Sequence, residues 1–272
     1  MHTALNPKIP KPASVAINGS AASKCAADPL LLDRLLKETT GDKYAYCHGK
    51  FLLECPEGVE QVRCGDLRDP IRFDGIIDRF AEKYGRVDRR AVVSMWTMYY
   101  FSTLAIGAAV HWLELRRKLP LDLNGMAVCL DPVTGEPQTF ILPSAGEAAE
   151  ECDIHAGLAP LVRGHMLPLV DVMAVNGNVS PRLIWSNVVA YLAWIVDEIG
   201  RLTDPSLAEE GKELLHAPTW PGELRNPMAG LIQPGAEDCG DAAPRRRICC
   251  LRYALPGVPG CGMSCPLPGG RC

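Results

Sequence analysis

Nineteen consecutive residues, Val92 to Val110, carry no charge. A segment like this must be buried, and only two surroundings can bury it. Its length is close to the roughly 20 residues that cross a bilayer. Yet Ser94, Thr97, Ser102 and Thr103 interrupt its apolar character. Basic residues flank both ends, Arg89 and Arg90 before it and Arg116, Arg117 and Lys118 after it, so no orientation bias is present. The run therefore reads as the central helix of a bundle, spanning Arg89 to Arg117. Peripheral contact with a membrane is the secondary reading.

The flanking sequence supports a helical body. Asp28-Pro29 precedes Leu30, Leu31, Leu32, Leu35 and Leu36, with Asp28 placed to cap and Pro29 to open a helix. Asp69-Pro70 opens another, with Ile71, Phe73, Ile76, Ile77, Phe80 and Ala81 near a helical period. Further helices are expected over 157–174, with Pro168 inside, over 180–201 with Ser180 as cap, and over 205–216. One stretch breaks the pattern. Met126, Val128 and Leu130 alternate, Asp131-Pro132-Val133-Thr134-Gly135 turns, and Thr139 to Leu142 resumes, which predicts a β-hairpin. Residues 44–66 read as mixed strand or loop. The expected fold class is mainly α (α+β): a bundle-like helical body with a small β-hairpin and an irregular C-terminal loop. The expected division is a disordered lead-in at 1–27, a body at 28–238 and a cysteine-rich tail at 239–272.

The lead-in holds Pro7, Pro10 and Pro12 and lacks the roughly 7–15-residue apolar core of a secretory signal. The expected location is a reducing cytoplasm, with peripheral contact at the inner face of the cell membrane as the secondary reading. There, clustered cysteines bind metal more often than they form disulfides. A net charge of -4 argues against a general nucleic-acid binder. Twelve cysteines are present, and six of them, Cys239, Cys249, Cys250, Cys261, Cys265 and Cys272, fall within residues 239–272.

Within that tail, Cys249-Cys250 is followed by ten residues and then Cys261-Gly262-Met263-Ser264-Cys265. Gly257, Pro259, Gly260 and Gly262 supply turns that let the loop fold back on itself. Structural zinc draws on two knuckles with two to four residues between cysteines. An adjacent pair leaves little chain to bend both sulfurs onto one tetrahedral ion. An iron–sulfur cluster offers two separated irons and suits the spacing better. Structural zinc and unrelated surface thiols stay open on spacing alone.

The pattern Cys-Cys-x10-Cys near the C-terminus, with Leu251, Arg252, Tyr253 and Pro256 inside it, resembles the terminal motif of the FhuF-type siderophore-iron reductases. Arg182-Leu-Ile-Trp185-Ser186-Asn187 is similar to that family's Trp-x-Asn helix, and Trp96–Leu121 to its central helix. The resemblance covers roughly residues 70–267. It implies a [2Fe–2S] cluster held by Cys249, Cys250, Cys261 and Cys265, and a ferric-siderophore reductase, an oxidoreductase acting on metal ions. One departure is present: three residues separate the last two cysteines where the family usually has two. Cys272 is therefore an alternative fourth ligand.

Ferric ion is a hard, highly charged cation that oxygen-rich chelators such as hydroxamates hold tightly, whereas ferrous ion is held more weakly. One electron delivered from a cluster near the surface would release the iron. No Gly-x-Gly-x-x-Gly fingerprint or Walker A loop is present, so a separate electron-donor protein of the ferredoxin or flavoprotein reductase type is expected. Arg245, Arg246, Arg247 and Arg252 are candidates for contact with substrate or donor, against a plainly solvated basic stretch. The competing function is a non-enzymatic helical siderophore- or protein-binding domain with a structural zinc site of four cysteines.

Other signals carry less. Cys47-His48, Cys55 and Cys64 fit no common knuckle and read as isolated buried cysteines, and Cys152 and His155, three apart as on a helix turn, have no second pair beside them. His165 and His216 stand alone. Trp185 and Asn187 read as core residues, with a hydrogen bond from Asn187 to the cysteine loop as the secondary reading.

Overall fold

The computed structural model describes residues 28–233 and 244–267. The expected lead-in, the 238/239 boundary, Cys239 and Cys272 lie outside the described residues.

Capping residues set the helix starts. Helix α1 (Leu31–Thr40) begins two residues later than Pro29, because the Asp28 carboxylate accepts the Leu30 N–H at 3.0 Å instead of capping a helix that starts at Pro29. Two short strands follow, β1 (Phe51–Leu52) and β2 (Glu60–Arg63), in the stretch that read as mixed strand or loop. Helix α2 (Pro70–Ala81) starts where Asp69-Pro70 places it, with the Asp69 carboxylate accepting the Arg72 N–H at 2.9 Å. Helix α3 (Arg89–Leu115) is the uncharged segment, and it stops where Arg116 turns left-handed at φ 48°.

Strands β3 (Arg117–Lys118), β4 (Ala127–Leu130), β5 (Pro137–Ile141) and β6 (Glu147–Ala148) come next. The expected hairpin is β4–β5, but it is the centre of a larger sheet in the order β1-β5-β4-β2. Only β1 is parallel to its neighbour, pairing Phe51 with Phe140.

The helix expected over 157–174 is broken into pieces. Helices α4 (Ile154–Gly157) and α5 (Ala159–Leu161) are single turns, a widened turn covers Val162–Met166, and α6 (Leu167–Asn176) carries Pro168 in its first turn. Helices α7 (Pro181–Leu202) and α8 (Pro205–His216) match expectation, capped by the side chains of Ser180 and Asp204. Beyond them the described residues form two-residue strands and two short turns: β7 (Thr219–Trp220) pairs with β8 (Leu224–Arg225), β9 (Ile232–Gln233) with β10 (Arg245–Arg246), and single 3-10 turns cover Arg252–Ala254 and Gly262–Ser264.

Helix α3 is the axis of the core. Trp96, Tyr100, Phe101 and Trp112 are fully buried on it. The Trp96 indole N–H donates to the Gly135 carbonyl at 2.8 Å, which fixes the hairpin turn against the helix. At its other end the Trp112 indole N–H donates to Glu210 at 3.0 Å, and Arg116 clasps the same carboxylate at 2.6 and 2.5 Å, joining α3 to α8. By length and composition α3 and α7 could each cross a membrane, but their most apolar stretches are 83% and 72% buried inside the protein.

Candidate metal centre

The first half of the site is laid down by the two apolar helices. Ser94 sits in the second turn of α3, and Ser186 and Asn187 in the second turn of α7. All three are buried, with Ser94 and Ser186 fully so. Buried polar groups need partners, and the cysteine tail supplies them. The Ser94 hydroxyl donates to the Cys250 carbonyl at 2.7 Å, and the Ser186 hydroxyl to the Ile248 carbonyl at 3.4 Å.

The tail reaches this place through β10, whose backbone pairs Arg246 with Ile232 of β9. Strand geometry turns successive side chains to opposite faces. Arg246 therefore points inward and is 1% exposed, whereas Arg247 is exposed. This corrects part of the expected arginine surface. Arg246 is shut inside the fold, where it cannot meet a partner. Its guanidinium donates to the Asn187 carbonyl oxygen at 2.9 Å. Arg252 reaches in between the helices, with Nη2 3.2 Å from the Met98 sulfur and 3.4 Å from the Tyr191 hydroxyl. Arg245 is half-buried and donates to the Cys265 carbonyl at 3.0 Å.

The thiols then come together. After Cys250 the chain reverses at Leu251, left-handed at φ 60°, and the Leu251 N–H points at the Cys249 sulfur at 3.4 Å. The loop returns through Gly257 at φ 72° and brings Cys261 within 3.9 Å of Cys250, sulfur to sulfur. A tetrahedral four-thiolate ion with metal–sulfur bonds of about 2.3 Å would set two of its sulfurs about 3.8 Å apart. The three residues before Cys265 form one tight turn, opened by Gly262 at φ 54° and closed by the Cys265 N–H on the Gly262 carbonyl at 3.0 Å. The inserted residue is thus taken up in a turn, and Cys265 lies near both Cys249 and Cys261. Within the tail, Cys250 and Cys261 stand at sulfur–sulfur contact, and among the described residues no three His, Cys, Asp or Glu side chains converge on a single ion.

Their acidities differ for physical reasons. Cys250 is held well below the usual thiol range by its hydrogen bond with Cys261 and by the Arg246 and Arg252 charges, against the cost of burial. Cys261 is pushed up by the same hydrogen bond and by burial. Burial also raises Cys249, with the Leu251 N–H and Arg246 working the other way. Arg246 is the charge that acts on Cys249, Cys250 and Cys261 alike. Two buried donors on the same arginines, Nε of Arg246 and Nε of Arg252, have no hydrogen-bond partner among the described residues.

Residues 94–237 match the family model described as ferric iron reductase FhuF-like transporter. The chain belongs to the FhuF-like ferric iron reductase family. The match to this family begins at Ser94 and includes Asn187, but it ends before Arg245 and the four tail cysteines. The chain is also similar to a ferric siderophore reductase of Escherichia coli (strain K12), 28% identical over 103 residues. That similarity covers 38% of this chain and 37% of the relative, so the chain spans little more than a third of the relative's length.

The remaining cysteines and histidines of this FhuF-like chain lie elsewhere. Cys47 and Cys64 are buried singly in the core, but Cys55 and Cys129 face each other at 3.3 Å between sulfurs, across 74 residues of sequence. No spacing rule would have joined them. His165 is a core residue, donating from Nδ1 to the Leu121 carbonyl at 3.0 Å and accepting from the Tyr100 hydroxyl at 2.8 Å. Ser94 escapes sequence reasoning because a lone serine in an apolar helix carries no signal of what it will meet.

Proposed function

We propose that this protein reduces a ferric siderophore by one electron, with Cys249, Cys250, Cys261 and Cys265 holding a [2Fe–2S] cluster. The observation that carries the reading is the approach of Cys261 to Cys250, sulfur to sulfur at 3.9 Å, in a loop that also holds Cys249 and Cys265, beside Arg246 and Arg252, whose buried Nε–H groups have no partner among the described residues. Soft sulfur donors select iron–sulfur centres or zinc. A two-iron cluster takes its thiolates two to each iron, whereas a structural zinc draws four onto a single ion. Unpartnered cationic donors beside the thiols suit a group with net negative charge. When bound, such a cluster accepts and passes on one electron at a time.

The chain's own residues divide the remaining work. Ser94, Ser186 and Arg245 hold the backbone carbonyls of Cys250, Ile248 and Cys265 and so fix where the sulfurs stand. The Leu251 N–H offers a hydrogen bond to the Cys249 sulfur, which lowers the electron density on it. Arg247, exposed and two residues before Cys249, can attract an acidic donor or an anionic chelate. The substrate is a ferric chelate of hydroxamate type, since charge loss at iron weakens hard oxygen ligands most. The electron comes from a separate protein of the ferredoxin or flavoprotein reductase class. The proposal carries a cytoplasmic location with it, and peripheral contact with the inner face of the cell membrane.

Metal analysis of protein reconstituted with iron and sulfide tests the reading. Iron with acid-labile sulfide, and reduction of a ferric hydroxamate by the dithionite-reduced protein, are expected. Stoichiometric zinc without sulfide would assign the tail to a structural role instead.

A further inference from the structure

The buried chain from Arg246 to Cys250 has only one workable direction. Arginine nitrogens donate and never accept, so the 2.9 Å contact with Asn187 must fall on the carboxamide oxygen. That fixes the amide, and the Asn187 nitrogen then donates to the Ser94 oxygen at 3.1 Å. The Ser94 hydroxyl, having accepted, donates to the Cys250 carbonyl at 2.7 Å. A charge at one end and a cysteine carbonyl at the other are joined by three bonds that all point the same way. Hydrogen bonds aligned like this polarise one another.

Burying a guanidinium without a carboxylate is costly, and Arg246 is 1% exposed with no salt bridge of 4 Å or less among the described residues. One neutral amide satisfies part of it, and its Nε has no partner. The groups it acts on are the sulfurs of Cys249, Cys250 and Cys261. A surface arginine could be placed anywhere along a basic tail. A buried one, held by Asn187 of α7, which is itself bonded to Ser94 of α3, is a built feature.

We propose that Arg246 is the internal counter-charge of the thiol site, and that Asn187 and Ser94 are positioning residues that hold it and Cys250 in one hydrogen-bond chain. The inference rests on the cluster reading above. Reduction adds one negative charge to the site, and a fixed cation inside the fold stabilises the reduced form more than the oxidised form. Arg246 thereby sets the reduction potential without touching substrate or donor.

The test is the midpoint potential of the reconstituted full-length protein, titrated with dithionite and redox mediators. Arg246→Gln should shift the reduction equilibrium at least tenfold toward the oxidised form, which is about 59 mV lower for one electron. Arg246→Lys keeps the charge and should stay within about threefold of wild type. Asn187→Asp is isosteric and places a carboxylate against Arg246, so it should lower the potential as Arg246→Gln does. Loss of cluster uptake in Arg246→Gln and Asn187→Asp, with uptake retained in Arg246→Lys, would equally support the charge role. Reduction equilibria within about twofold of wild type in both neutralising variants overturn the inference, as does an Arg246→Lys protein that behaves like Arg246→Gln. A wild-type protein that takes up no cluster overturns the functional reading itself, and so separates the two failures.

Discussion

His111 and His165 are neutral bases sealed in the core. Each donates from Nδ1 to a backbone carbonyl, Gly107 at 2.8 Å for His111 and Leu121 at 3.0 Å for His165. Burial pulls both down from 6.5 to about 4, opposed only in part by those carbonyls. The unfolded chain takes up these protons at about pH 6.5 and the folded protein does not. Stability is therefore fully present above pH 6.5 and declines as the pH falls toward 4, by about 1.4 kcal/mol per pH unit for each histidine. Asp33 and Asp197, raised by burial, act in the opposite sense. Urea midpoints measured at pH 7.5, 6 and 5 should be level across the first interval until about 6.5 and fall clearly by pH 5. A midpoint unchanged at pH 5 would contradict the buried neutral state. His165 stands alone in the sequence and carries no sign of this role there.

At the scale of elements, close approach depends on missing side chains. Gly107 lies in the middle of α3, where a Cβ would stand 2.7 Å from the Phe51 ring of β1. Gly211 of α8 and Gly200 of α7 let those helices meet, since a Cβ would stand 2.5 Å from Val196 and 2.6 Å from Ala208. Alanine normally favours a helix over glycine by about 1 kcal/mol. Overpacking costs about 1–3 kcal/mol and should win at these sites. Gly107→Ala and Gly211→Ala should each lower the thermal midpoint by several degrees, and a rise in either would refute the contact. The starts of α2 and α7 were legible because Asp69-Pro70 and Ser180-Pro181 carry local capping chemistry. The two strands β1 and β2 were not, since one is two residues long and the other buries only Val62. The 157–174 helix failed because its apolar residues satisfy several short turns as well as one long helix.

Across the whole molecule, the uncharged segment and the cysteine tail are parts of one arrangement. Position in the sequence singles out the cysteine-rich tail, and the family resemblance singles out Cys249, Cys250, Cys261 and Cys265 within it. Their support carries no such mark: Ser94 and Asn187 are 93 residues apart, and Arg246 is 59 residues beyond Asn187. The stretch that reads as a basic surface is divided by the backbone into Arg246 inside, Arg245 half-buried and Arg247 outside. α3 and α7, apolar enough for a membrane, bury their length against the core instead and present polar groups at one end to hold the tail. The central claim is that this end holds a two-iron cluster on four cysteines. The electron paramagnetic resonance spectrum of the reconstituted, dithionite-reduced protein tests it most directly. The account requires one spin per two irons in wild type, and its loss in Cys250→Ser and Cys261→Ser with the helical fold retained. A reduced protein with no such signal, or a signal unchanged in both variants, would contradict it.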